Sequence, residues 1–185
     1  MNKQILLMLV LLSAVSTGWT QGYHSSRFSY EGSNRKIIGA LHIADSIYAL
    51  PSFWRAVEKY PEQKIDNSSY TMKMLADTLR AFAKPAVVKR LGGIHPFATA
   101  KTGAQGISLT KKGYKQDLYS LAVTFIHEWV HVVDNAKYPG DLRFAHYEKQ
   151  EPCLNRDTAS YRVERIVELM LGWPDFAVKC PPKNP

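Results

Sequence analysis

The chain has 185 residues, with 24 Lys and Arg against 16 Asp and Glu, and a formal net charge of +8. Hydrophobic residues make up 45% and charged ones 22%, a balance that excludes a disordered or fibrous polymer and fits one globular domain with a real core. The basic residues are scattered, with no stripe interleaved by aromatics, so nucleic acid is not an expected partner; acidic envelope surfaces or acidic substrates suit such a charge.

Lys3 precedes an apolar run over residues 5–12, and the small residues Ser13, Ala14 and Ser16 follow. This reads as a secretory signal peptide over residues 1–20, cleaved after Ser16 or shortly before Gln21 or Gly22. The run is short for a bilayer span, and no cysteine follows it to be acylated. A secreted or periplasmic protein is therefore expected, a monomer without stable membrane insertion after signal removal. One domain is expected over residues 21–185.

Residues 21–35, rich in Ser, Gly, Tyr and Asn, read as a loose arm. Ile37–Ile43 suits either a strand or the start of a helix. Residues 52–60 suit a short helix. A clearer one runs from Tyr70 to Phe82, with Met72, Leu75, Leu79 and Phe82 on its apolar face, and Pro85 ends it. Gly106–Thr110 is the best strand candidate, and Lys111-Lys112-Gly113 reads as a turn. A long helix is expected from about Gln116 to Ala136, broken by Tyr138-Pro139-Gly140-Asp141. A polar loop then leads to a last helix over about Asp157–Leu171, stopped by Gly172 and Pro174. In an exported protein, Cys153 and Cys180 are expected to form one disulfide, a closure that stabilises by about 3 kcal/mol on the loop-entropy account.

Inside the long helix, His127-Glu128-Trp129-Val130-His131 reads H-E-x-x-H. Two histidines four apart lie on one face, about one turn apart, and both imidazoles can reach one zinc ion. Glu128 then stands beside the metal, where it can take a proton from a zinc-bound water. Val123, Ile126, Val130 and Val133 form an apolar stripe that places one flank of the helix in the core. His127, His131 and Asp134 form a polar stripe on that same helix. Uncompensated polar burial is costly, so the stripe asks for a partner such as a metal. The competing reading is a helix with two satisfied histidines and a surface glutamate.

A catalytic zinc takes three protein ligands and keeps one position for water. Asp134 lies farther along the same straight helix and rises away from the metal, so it suits orienting an imidazole instead. His146 follows the Pro-Gly break, but Asp134 stands where the metzincin pattern has Gly, which ranks His146 low. The last helix is the better source. Asp157, Tyr161, Glu164 and Glu168 form one polar face, opposite apolar Val163, Ile166, Val167 and Met170. Packed antiparallel to the motif helix, that face meets the two histidines. The alternative is a solvated charged face beside Arg162 and Arg165.

The run from His127 to Asp134, followed by Asp157-Thr158-Ala159-Ser160-Tyr161-Arg162-Val163-Glu164, resembles the active-site half of gluzincin-type zinc metallopeptidases. In that group the third ligand opens a second helix in an E-x-x-A-like context, some turns before a terminating Gly. Asp157 holds the ligand position, Ser160 that of the small residue, and Gly172 that of the glycine. The likeness covers the C-terminal third to half of the chain, and its H-E-x-x-H part is the specific one. It implies an α+β, zincin-like fold, mainly helical, with a small sheet. Gly106–Leu109 resembles the edge strand that precedes the motif helix and pairs with substrate backbone. It implies Zn2+ held by His127, His131 and Asp157, with Glu128 catalytic. The departure is Asp for Glu, one methylene shorter, which demands a closer approach of the two helices. Aspzincins use an Asp ligand, but their G-T-x-D-x-x-Y motif is absent. Glu164 is the next candidate, followed by Glu168 and His146.

The expected activity is hydrolysis of peptide bonds in a protein or peptide substrate, with Tyr161, Tyr147, Tyr138 or His146 as candidate donors to the oxyanion. Two other classes remain open. One is an exported binding or interaction module using the zinc structurally, which Asp134, His146 and Glu164 would permit by closing the site. The other is a zinc amidase acting on cell-wall peptides.

Overall fold

The computed structural model describes residues 22–91, 100–103, 106–139, 143–147, 152–175 and 180; the expected signal peptide lies outside them. The described residues form an α+β arrangement of seven helices and one five-stranded sheet. The expected loose arm instead supplies two strands, β1 (Tyr23–His24) and β2 (Phe28–Tyr30). Phe28 and Tyr30 turn inward on alternate positions, and Phe28 is fully buried. β2 pairs in parallel with β3 (Ala86–Arg90), which the sequence reading did not mark. β3 pairs in parallel with β5 (Gly106–Leu109), and β5 pairs antiparallel with β4 (Ala100–Gly103).

The strand order is β1-β2-β3-β5-β4, so the expectation of Gly106–Leu109 as the edge strand is corrected: β5 is internal and β4 is the edge. Gly106 shows why β5 accepts a neighbour so closely, since a Cβ there would stand 2.0 Å from the Val87 carbonyl oxygen. In β3, Ala86 and Val88 are buried while Val87, Lys89 and Arg90 are exposed. Helices cover the first face, and this part of the other face meets solvent.

α1 (Arg35–Ala49) resolves the choice at Ile37–Ile43 in favour of a helix, because the Asn34 side chain accepts hydrogen bonds from the Lys36 and Ile37 N–H groups. α2 (Pro51–Val57) opens on a proline, whose missing N–H costs nothing at the first turn. α3 (Met72–Ala81) is capped by Thr71. A short helix, α4 (Lys111–Lys115), forms where a turn was expected, with the Thr110 hydroxyl accepting from Gly113 N–H. The motif helix α5 (Leu118–Lys137) is capped by Asp117, which accepts from Tyr119 and Ser120 N–H. The Ser120 hydroxyl and these backbone donors hold the Asp117 carboxyl below its usual range. α6 (Pro152–Asn155) is a single turn. α7 (Ala159–Met170) begins after Asp157, not on it, and Gly172 follows its end at φ +80°.

α5 is the spine of the molecule, packed on α1, α7, β4 and β5. Trp129, inside the motif, is fully buried, its ring 4.7 Å from Tyr48, 6.1 Å from Phe82 and 6.5 Å from Phe28. Cys153 and Cys180 form the expected disulfide. No described helix is long and apolar enough to cross a membrane.

Candidate metal centre

Trp129 fixes the roll of α5, and His127 and His131 leave the helix on the flank roughly opposite it. Their Nε2 atoms stand 3.3 Å apart. His146 returns from segment 143–147 to join them, and one ligand atom from each of the three lies within 4.8 Å of the others. The His146 ring centroid is 4.9 Å from that of His131 and 6.1 Å from that of His127.

Asp157 is not in this group, and the expectation that it sits beside the two histidines is corrected. Its carboxylate meets Arg156 at 3.3 Å and Arg162 at 3.4 Å, just ahead of α7. So short a side chain before the helix is captured by two guanidinium groups of its own neighbourhood. The other members of the predicted polar face do reach the histidines. Glu164 Oε2 accepts from His127 Nδ1 at 2.6 Å, and the Tyr161 ring lies 4.9 Å from the His127 ring and 5.8 Å from that of His146. Glu168 does not join the histidine group; its Oε2 is buried with no hydrogen-bond partner among the described residues.

The donor set fits a metal ion. His127 donates from Nδ1 to a carboxylate, so its Nε2 carries the lone pair. Burial, reinforced by the neighbouring His127 and His146, pushes the His131 pKa well below its ordinary value and keeps that ring neutral. His146 donates from Nδ1 to the Tyr147 carbonyl at 3.1 Å, which leaves its Nε2 as the acceptor. With Nε2 unprotonated on each ring, one cation could accept all three lone pairs. A tetrahedral zinc with Zn–N bonds of about 2.0–2.1 Å separates two ligand nitrogens by about 3.3–3.4 Å. The His127–His131 spacing of 3.3 Å matches. For His127, burial lowers the pKa, but the Glu164 charge and hydrogen bond, with Glu128 behind them, outweigh it and raise the net value.

Beside this trio, Glu128 Oε2 accepts a hydrogen bond from the Thr102 hydroxyl on β4, and that hydroxyl also lies 3.3 Å from the Glu128 carbonyl oxygen. Burial, then the charges of Glu164 and Glu128, push the Tyr161 phenol up to about 12, so it remains a proton donor at neutral pH.

His146 owes its place to residues the sequence reading assigned otherwise or passed over. Asp134, expected to orient an imidazole, accepts from Arg143 N–H at 2.7 Å and Phe144 N–H at 2.8 Å. Buried Asn155 accepts from Tyr147 N–H at 2.7 Å, and Asn67 donates to the Ala145 carbonyl at 3.4 Å. Phe144, fully buried, packs edge-on against Tyr70 and Tyr138. The one advance signal was Asp134 itself, a carboxylate on a buried stripe. Thr102, Asn67 and Asn155 carry no local pattern that marks them.

No known protein family, curated protein or solved structure matches the chain, so a functional reading rests on the chemistry of the centre itself.

Proposed function

We propose that the chain is an exported zinc-dependent peptide hydrolase, with His127, His131 and His146 as metal ligands and Glu128 as general base. The observation that carries this reading is the convergence of three imidazoles beside a glutamate whose carboxylate is tethered by a hydroxyl. Zinc held by these three imidazoles would supply polarisation of a water and of the scissile carbonyl. Glu128 stands where it can take a proton from the attacking water and pass it to the departing amine. Thr102 holds the carboxylate in place for both transfers. Tyr161, protonated and close to the His127 ring, donates to the carbonyl oxygen as it gains charge. Glu164 fixes the ring orientation and tautomer of His127. β4, the outer strand among the described residues and packed on α5, offers backbone groups with which an extended substrate can pair.

Two variants test the base and two the ligand set. Glu128→Gln should keep one zinc per chain while hydrolysis of a denatured polypeptide falls by about 10²–10⁴-fold; hydrolysis retained in this variant would sink the mechanism. His146→Ala should lose zinc affinity and Asp157→Ala should keep it, measured by metal content after dialysis against a chelator. The reverse pattern would return the third ligand to Asp157. The positive charge of the chain also suits anionic cell-wall material. Turnover of cell-wall stem peptides with polypeptides left intact would place the activity among amidases.

A further inference from the structure

A cavity of about 390 Å³ opens on the side of α7 away from the histidines, between α2, the start of α3 and α7 itself. Its walls are Val57, Met72, Ile166 and Leu169. Lys59, Arg162 and Arg165 also line it, and among the described residues no carboxylate does. Arg162 is buried and committed to Asp157. Lys59 and Arg165 have no ion pair among the described residues. The Lys59 ammonium is held 5.2 Å over the Tyr60 ring, and Tyr60 is 59% exposed. Arg165 lies near enough to Arg162 for the two charges to oppose each other.

Two cations without ion pairs among the described residues, beside a solvent-open apolar hollow, define a ligand by complementarity. An apolar body gains from leaving water, and an anionic end relieves the repulsion. The volume falls at the small end of the roughly 300–1,000 Å³ range of small-molecule sites, which limits the body to a short one. We propose that this cavity binds an amphipathic carboxylate with an unbranched apolar chain of medium length. Its head would lie between Lys59 and Arg165, and its tail against Val57, Ile166 and Leu169. The site is separate from the histidine centre and does not depend on the hydrolase reading. The two share α7, whose neighbouring faces carry Glu164 toward His127 and Arg165 toward the cavity.

The probe is sodium octanoate, titrated calorimetrically into the purified full chain. Propionate (the same head without the tail) and octyltrimethylammonium (the same tail with opposite charge) serve as controls. The expected result is saturable binding at one site, with both controls at least tenfold weaker. The Lys59→Glu/Arg165→Glu double variant changes one exposed and one half-buried side chain, and it should weaken octanoate at least tenfold. Leu169→Ser should do the same through the tail. A carboxylate could instead ligate metal at the histidines, so the titration is repeated on metal-free His131→Ala protein. Unchanged binding there supports the cavity, and loss of binding overturns it. Absence of saturable binding, equal binding of the three probes, or wild-type affinity in the charge-reversed variant would also overturn the proposal.

Discussion

Glu168 stands one turn beyond Glu164 on α7, yet its role is electrostatic and not ligating. Burial, with repulsion from Glu164 and Asp175, raises its carboxyl from 4.5 to about 7. A folded pKa above the unfolded one means the folded chain retains a proton that the unfolded chain has released. Stability is then fullest below about pH 4.5 and declines as pH rises through about 7. Glu168→Gln should therefore stabilise the metal-free protein at pH 8 by on the order of 1 kcal/mol, after discount for its partial exposure, and leave it nearly unchanged at pH 4.5. Thermal denaturation at the two pH values measures this, and an equal shift at both would count against it. At this same scale the sequence was most informative where chemistry is local. His127, Glu128 and His131 share one turn of helix, so their spacing alone implies their convergence. Asp157 misled because the polar face of α7 is real, but its first member precedes the helix and lies among arginines.

At the scale of elements, α5 carries the two motif histidines directly and His146 by proxy. Asp134, near its C-terminal end, accepts two backbone N–H groups of the returning segment. Asp134→Ala removes both acceptors and leaves buried donors unpaired, a cost of about 1–3 kcal/mol. The expected outcome is weaker zinc binding with the α5 histidines intact, read by competition with a chromogenic chelator. Wild-type affinity in this variant would mean that Phe144 packing, with Asn155 and Asn67, holds the segment without Asp134. Helices with a capping side chain and a long apolar face, such as α3 and α5, were legible from sequence. β1 and β2 were not, because two- and three-residue strands show no periodicity and β2 finds its partner only at Ala86 and Val87. The approach of His146 to the two motif histidines was hidden for the same reason, its segment being held by Asp134, Asn155 and Asn67 from three separate parts of the chain.

For the whole molecule, the sheet order stays hidden in the sequence because parallel pairing joins distant segments. The disulfide was legible by arithmetic, since two cysteines permit a single intramolecular pairing. The bond closes a span of 27 residues between Cys153 and Cys180 that contains all of α7. A Cys153→Ser/Cys180→Ser double variant should lose about 3 kcal/mol of stability by urea denaturation. It should keep its zinc stoichiometry, because neither cysteine belongs to the histidine group. Unchanged stability would mean that packing of α7 on α5 alone retains the last helix.

The segment bearing His146 is gripped by a few side-chain hydrogen bonds on either side of it, while His127 and His131 are built into the most deeply packed helix. The centre is thus anchored unequally. Release of Asp134 and Asn155 by Arg143, Phe144 and Tyr147 would free His146 with α5 and α7 still folded. Under the proposed reading, metal exchange should follow the opening of this segment and not the unfolding of the whole chain, because His127 and His131 stay on α5.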